Sequence, residues 1–216
     1  MSGRGRRFSF DPVAVGRSEC AAWVAYYRRD WPRMLAGALG MVRHGFALGP
    51  FGNIKAAWHV MRANQAWAPN PDNDPVAAQQ HMARFYRIAN KAGRLSVDPE
   101  VAADLEVSWW RAHRVHQHDA QVSNEDLLAA LISLYSYIYR ARPHDVRRAA
   151  ELRVRAMDLS DAWVAAGCQL NDPRLAQERL ALVASFTALR DAIDRQSLRA
   201  PIADTSFLVQ RREQRQ

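Results

Sequence analysis

Two spacings in the chain could do chemistry. Glu106 and His113 are seven residues apart, with Trp110 between them. On a helix they project from the same side about 10 Å apart along the axis. A carboxylate and an imidazole so placed can reach one metal centre, or one polar ligand, from its two ends. Glu151 and Asp158 repeat the spacing, Asp161 follows at the next turn, and Leu152, Ala156, Leu159 and Trp163 form an adjoining apolar row. Bundles build metal sites from inward carboxylates and histidines on facing helices. Glu106, His113, Glu151 and Asp158 are therefore the candidate metal or ligand residues, expected to meet in one polar cluster, with iron or another divalent ion as the metal. A plainer alternative stands beside this. His113, His116 and His118 lie where a helix C-terminus favours cations, and Arg147, Glu151 and Arg155 form ordinary i,i+4 pairs of an exposed face. Trp58, Trp67, Trp109 and Trp110 are the candidate lining of a pocket for an apolar ligand.

The elements that must position these residues are clearly punctuated. Asp74-Pro75, Asp98-Pro99 and Asp172-Pro173 each place a capping carboxylate before a proline at the first helical position, where the missing N–H costs nothing. Ser123 to Asp126 resembles a weak capping box, Pro143 fits another first turn, and Gly93 and Gly167 sit where helices should stop. Between these marks apolar residues recur at helical spacing, as in Leu127, Leu131, Leu134 and Ile138. No stretch alternates with period two. The pattern predicts helices over about 18–30, 33–47, 52–66, 75–92, 99–118, 124–140, 143–167 and 173–196. The first two are either separate or one helix kinked at Trp31-Pro32. Short connections make sequential helices antiparallel neighbours, so the fold class is all-α: a compact antiparallel helical bundle of about seven to eight helices. The expected organisation is a basic flexible tail over 1–17, a single helical domain over 18–196 and a second basic tail over 197–216. No internal repeat of fixed period is present.

Composition narrows the function classes. The chain has 216 residues, of which 49% are hydrophobic and 24% charged, enough for one core without disulfides. Cys20 and Cys168 match no zinc or redox spacing. The formal net charge is +8, but residues 1–17 carry +3 of it and 197–216 carry +2. The body reads as nearly balanced, without the basic stripe of a folded DNA-binding domain, so contact with a polyanion is expected through the tails. Phe8 to Pro12 interrupts any signal-peptide core, and the apolar run Leu127 to Tyr139 is shorter than the roughly 20 residues a bilayer span needs. A cytoplasmic protein with no transmembrane segment is expected. The glycine-rich segment Met34 to Ile54 reads as a buried hairpin or a membrane-surface contact. There is no glycine-rich phosphate loop, and neither cysteine has an identifiable base near it in sequence.

The Glu106-x6-His113 element resembles one found in haem-oxygenase-like non-haem di-iron oxygenases, compact all-helical proteins that use carboxylates and histidines to activate dioxygen. The resemblance covers one helix. The family's downstream aspartate–histidine ligand helix has no counterpart, since no histidine follows His144, and no glutamate is followed three residues on by histidine as in ferritin-like proteins. What the resemblance implies is a metal-dependent oxygenase. The residues themselves support two wider readings: a helical bundle holding a small-molecule or metal site, or a non-catalytic helical interaction protein whose basic tails contact a protein partner, RNA or an anionic membrane. Neither reading fixes whether the chain is an enzyme, and a homo-oligomer is compatible with both.

Overall fold

A computed structural model of the chain describes residues 9–119 and 123–199, and these form eight helices with no strand among them. The helices are α1 Pro12–Tyr27, α2 Trp31–Phe46, α3 Pro50–Trp67, α4 Pro75–Lys91, α5 Pro99–His118, α6 Glu125–Tyr139, α7 Pro143–Ala165 and α8 Arg174–Arg199. The Asp-Pro pairs act as their types require. The side chains of Asp74 and Asp98 accept backbone N–H groups at the starts of α4 and α5, and Asp172 accepts that of Arg174 at the start of α8. Gly93 and Gly167 follow the ends of α4 and α7 at φ +67° and +90°, a conformation that favours glycine.

Two expectations are corrected at the N-terminal end. Residues 12–17 are helical rather than tail, because Asp11-Pro12 is a further capping pair: the Asp11 carboxylate accepts from the N–H groups of Val13 and Ala14. Nor do the first two helices form one kinked helix. Asp30 caps α2 and places Pro32 in its first turn, where no hydrogen bond is lost, after a turn through Arg29 at positive φ. At the other end, α8 runs three residues past the expected 196. The remaining tail residues, 1–8 and 200–216, lie outside the described residues.

Each helix packs against its neighbours in sequence, and α8 returns against α1, so the bundle closes into a ring. Small residues let α1 sit close to both flanking helices. A Cβ on Gly16 would lie 2.8 Å from the Val183 backbone of α8, and one on Gly37 would lie 2.8 Å from the Ala22 backbone nitrogen. The segment 34–54 is thus largely the α2–α3 hairpin, with Gly37 and Gly45 buried. No helix is long and apolar enough to cross a membrane among the described residues.

Candidate functional site

All eight helices turn side chains toward a cavity of about 170 Å³ inside the ring. Most of its wall is apolar, from Val15 of α1, Met34 and Val42 of α2, Val60 of α3, Met82 and Phe85 of α4, Leu134 and Ile138 of α6 and Phe186 of α8. Into this wall are set Glu19, Tyr86, Glu106, Tyr135, Tyr139 and Arg153. Glu19 and Arg153 are both buried and form a two-pronged ion pair, Arg153 Nη1 donating to Glu19 Oε2 at 3.0 Å and Nη2 donating to Oε1. Such forked geometry is the arrangement in which a buried carboxylate best offsets the desolvation of a guanidinium. The Arg153 guanidinium also faces Trp109, Trp23 and Phe186, its carbon 5.1, 5.4 and 5.8 Å from their ring centroids. Burial opposes its charge, but Glu19, with Tyr135 and Glu106, outweighs burial and raises the Arg153 pKa above its ordinary value.

Glu106, from α5, is the second carboxylate in the cavity. Tyr86 OH donates to its Oε2 at 2.7 Å and Trp109 Nε1 donates to its Oε1 at 3.0 Å. Burial raises its pKa, while the Tyr86 hydrogen bond, Arg153 and the Trp109 hydrogen bond oppose the rise. Burial, with Glu106 beside it, pushes the Tyr86 phenol well upward as well. Two donors on the same wall lack a well-aligned protein partner: the hydroxyl of Tyr135, which lies beside Arg153 and Ser185, and the Nε of Arg153, both on buried residues.

His113 belongs to a different place. Its Nε2 lies 3.0 Å from Asp161 Oδ2, and Asp161 Oδ1 accepts from Gln117 Nε2 at 2.5 Å and from Tyr27 OH at 3.4 Å. This network borders a second cavity of about 70 Å³, lined also by Trp67, Trp109, Trp110 and Arg114. Asp158 pairs instead with His116 at 3.2 Å, and Glu151 lies 3.9 Å from Arg147 and 3.6 Å from Arg148 on the outer face of α7. The four residues therefore do not meet in one cluster. Glu106 turns inward between Tyr86 and Trp109, the partners of His113 and Asp158 are Asp161 and His116, and Glu151 keeps its local arginines. No group of three or more histidine, cysteine, aspartate or glutamate side chains among the described residues is arranged to hold a metal ion, and these four do not fit a shared iron centre. Of the tryptophans, Trp109 and Trp110 line both cavities and Trp67 the smaller one, whereas Trp58 is 49% exposed on α3 and lines neither.

The sequence does not single out Glu19, Arg153 or Glu178, yet each occupies an apolar row. Glu19 falls between Val15 and Ala22, Arg153 between Ala149 and Met157, and Glu178 between Leu175 and Leu182. A charged residue at a position where the helical period demands an apolar one is the signal that finds them. Glu178 is fully buried beside Cys20 and Ser160, without a well-aligned hydrogen bond to either oxygen. Burial lifts its pKa to about 8, and burial together with Glu178 pushes the Cys20 thiol up to about 12.

Comparison of the chain with protein-family models, with curated proteins and with solved structures finds no match in any of the three.

Proposed function

We propose that the chain is a small-molecule-binding protein whose central cavity takes an uncharged, mainly apolar molecule carrying one oxygen acceptor. The observation that carries this reading is the pair of poorly satisfied donors, Tyr135 OH and Arg153 Nε, set side by side in the wall of a mainly apolar cavity of about 170 Å³. A buried donor left without a well-aligned partner costs up to about 1–3 kcal/mol, and a ligand oxygen that accepts from Tyr135 OH or Arg153 Nε recovers part of that cost. The volume sets the size, since apolar cavities of about 150 Å³ hold a benzene-sized molecule. Charge sets the rest. Glu19 already balances Arg153, and Glu106 stands in the same wall, so an anionic ligand would meet carboxylate without a spare cation. The aromatic walls and perturbed carboxyl group are features of a ligand site rather than of a dry core.

Tryptophan emission and thermal denaturation in the presence of acetophenone, benzyl alcohol, benzoate and benzylamine test this reading. The two neutral oxygen-bearing compounds should shift the emission of Trp109 and Trp110 and raise the melting temperature, a ligand at 100 times its Kd adding about 2.7 kcal/mol. Tyr135→Phe should weaken binding about tenfold through one lost hydrogen bond. Val60→Phe, which fills the cavity, should abolish it. Equal binding by Val60→Phe and by the natural sequence would place the ligand elsewhere and overturn the proposal.

A further inference from the structure

The outward face of α3 exposes three large apolar side chains. Phe51, Ile54 and Trp58 are 82%, 57% and 49% exposed, at spacings of three and four residues. Lys55 and Arg62 are exposed on the same helix, and at 100° per residue all five side chains fall within an arc of about 100°. No acidic residue occurs between Asp30 and Asp72, so apart from Arg33, which pairs with the capping Asp30 at 3.0 Å, the α2–α3 hairpin carries Arg43, Lys55 and Arg62 without a counter-charge of its own. The asymmetry extends beyond the hairpin. Residues 31–97 hold eight lysines and arginines against Asp72 and Asp74, a net of +6, while residues 98–196 hold twelve against fifteen acidic residues, a net of −3. The near balance of the body conceals two halves of opposite sign.

We propose that this face of α3 seats on the surface of a membrane containing anionic lipids, with Phe51, Ile54 and Trp58 entering the headgroup region and Lys55 and Arg62 held at the level of the phosphates. Helices that lie in the interface combine large apolar side chains on one side with flanking lysine and arginine, and tryptophan is favoured at that depth. With Lys55 and Arg62 in it, α3 lies on a bilayer and does not cross it. The charge division orients the molecule, because a negative surface attracts the α2–α4 half and repels the α5–α8 half. A second copy of the same face is the weaker occupant, since it would bring two uncompensated basic hairpins together. The proposal is independent of any ligand in the central cavity.

The test uses the full chain with extruded vesicles of phosphatidylcholine alone and of phosphatidylcholine with an equal share of phosphatidylglycerol, read by co-sedimentation near physiological salt. Binding should be at least about tenfold stronger on the anionic vesicles, as expected when two or more basic residues near the surface contribute. Phe51→Glu with Trp58→Glu should reduce that binding about tenfold or more, and Lys55→Glu with Arg62→Glu should do the same. All four positions are exposed, so unchanged circular dichroism and melting temperature are expected of both variants. Failure to bind the anionic vesicles overturns the proposal. Binding that survives Phe51→Glu with Trp58→Glu overturns it too, and assigns the attraction to the terminal arginines. A concentration-dependent dimer in sedimentation velocity that the same variant abolishes, without vesicle binding, would replace the membrane with a second copy.

Discussion

Two polar side chains on one side of α5, two turns apart, enter different surroundings. Glu106, near the middle of the helix, faces the central cavity, where its oxygens are held by Tyr86 and Trp109 and Arg153 stands in the same wall. His113, two turns further on, meets Asp161 of α7 in a network that also takes in Tyr27 and Gln117, with 15% of the histidine side chain and 18% of the aspartate still exposed. The first environment is buried and mainly apolar; the second is polar and borders the surface. Equal spacing along a helix puts two side chains on one side of it, but the neighbouring helices decide whether they share a site. Energies should divide accordingly, because an ionic group costs most to leave unpaired where water cannot reach it.

The largest expected effect is therefore in the cavity wall. Arg153→Met leaves Glu19 buried without its partner and should lower the unfolding free energy by about 3–5 kcal/mol, measured by urea denaturation. Adding Glu19→Leu removes the remaining charge and should recover most of that loss. If the double variant is as unstable as the single one, the packing of the guanidinium against Trp23, Trp109 and Phe186 is what matters, and the ion pair is secondary.

Next comes a dependence on pH from the interior carboxyls. Glu178 has a folded pKa of about 8 against an ordinary value of 4.5, so the folded state holds a proton that the unfolded chain releases as pH rises between them. A raised acid pKa favours folding below the unfolded value, and the advantage disappears as pH climbs through the folded one. Each pKa unit corresponds to about 1.4 kcal/mol, so the group should cost a few kcal/mol of stability between pH 4.5 and 8. The shift at Glu106 acts in the same sense. Glu178→Gln should flatten the profile measured by denaturation at a series of pH values.

The fold was more legible than the site, for a physical reason. Capping by Asp-Pro is local, so three helix starts can be read without knowing any neighbour. Asp11-Pro12 obeys the same rule, but the arginines before it suggest a tail and hide the buried Val15, Gly16 and Glu19 that follow. Glu106 stands out in the sequence through its seven-residue spacing to His113, a pairing that the fold does not make. The partners of a buried group are not recognisable in the same way, since Glu19, Tyr86 and Arg153 come from three other helices, and Arg153 is bracketed by arginines that remain in solvent. The charge division escapes notice for a related reason: a net charge summed over the whole body cancels the α2–α4 half against the rest.

At the other end of the comparison, Asp161→Asn should cost about 1 kcal/mol. The amide keeps one acceptor but places an N–H where His113 Nε2 or Gln117 Nε2 now faces a carboxylate oxygen. The change should be visible as a modest drop in urea midpoint. It should also move the His113 ring resonances in an NMR spectrum, a readout that Arg153→Met should leave in place if the two clusters are separate. A shift of His113 in both variants would show that the two cavities, which share the walls of Trp23, Asn64, Trp109 and Trp110, behave as one.

The smallest effect is expected at Glu151, although its spacing to Asp158 matches that of Glu106 to His113. Its side chain is 40% exposed, and the nearest cations, Arg147 and Arg148, are 58% and 71% exposed at 3.9 and 3.6 Å. Water screens such pairs, and holding long side chains in one geometry costs entropy that offsets the attraction, so Glu151→Ala should change stability by less than about 0.5 kcal/mol. It should leave unchanged both the binding of neutral ligands in the central cavity and the His113 ring resonances. A loss above about 1.5 kcal/mol would mean that the outer face of α7 is covered in solution, because an exposed pair on a helix surface cannot supply that much. The matching measurement is sedimentation velocity of the full chain, in which a partner copy over α7 would appear as a dimer that Glu151→Ala dissociates.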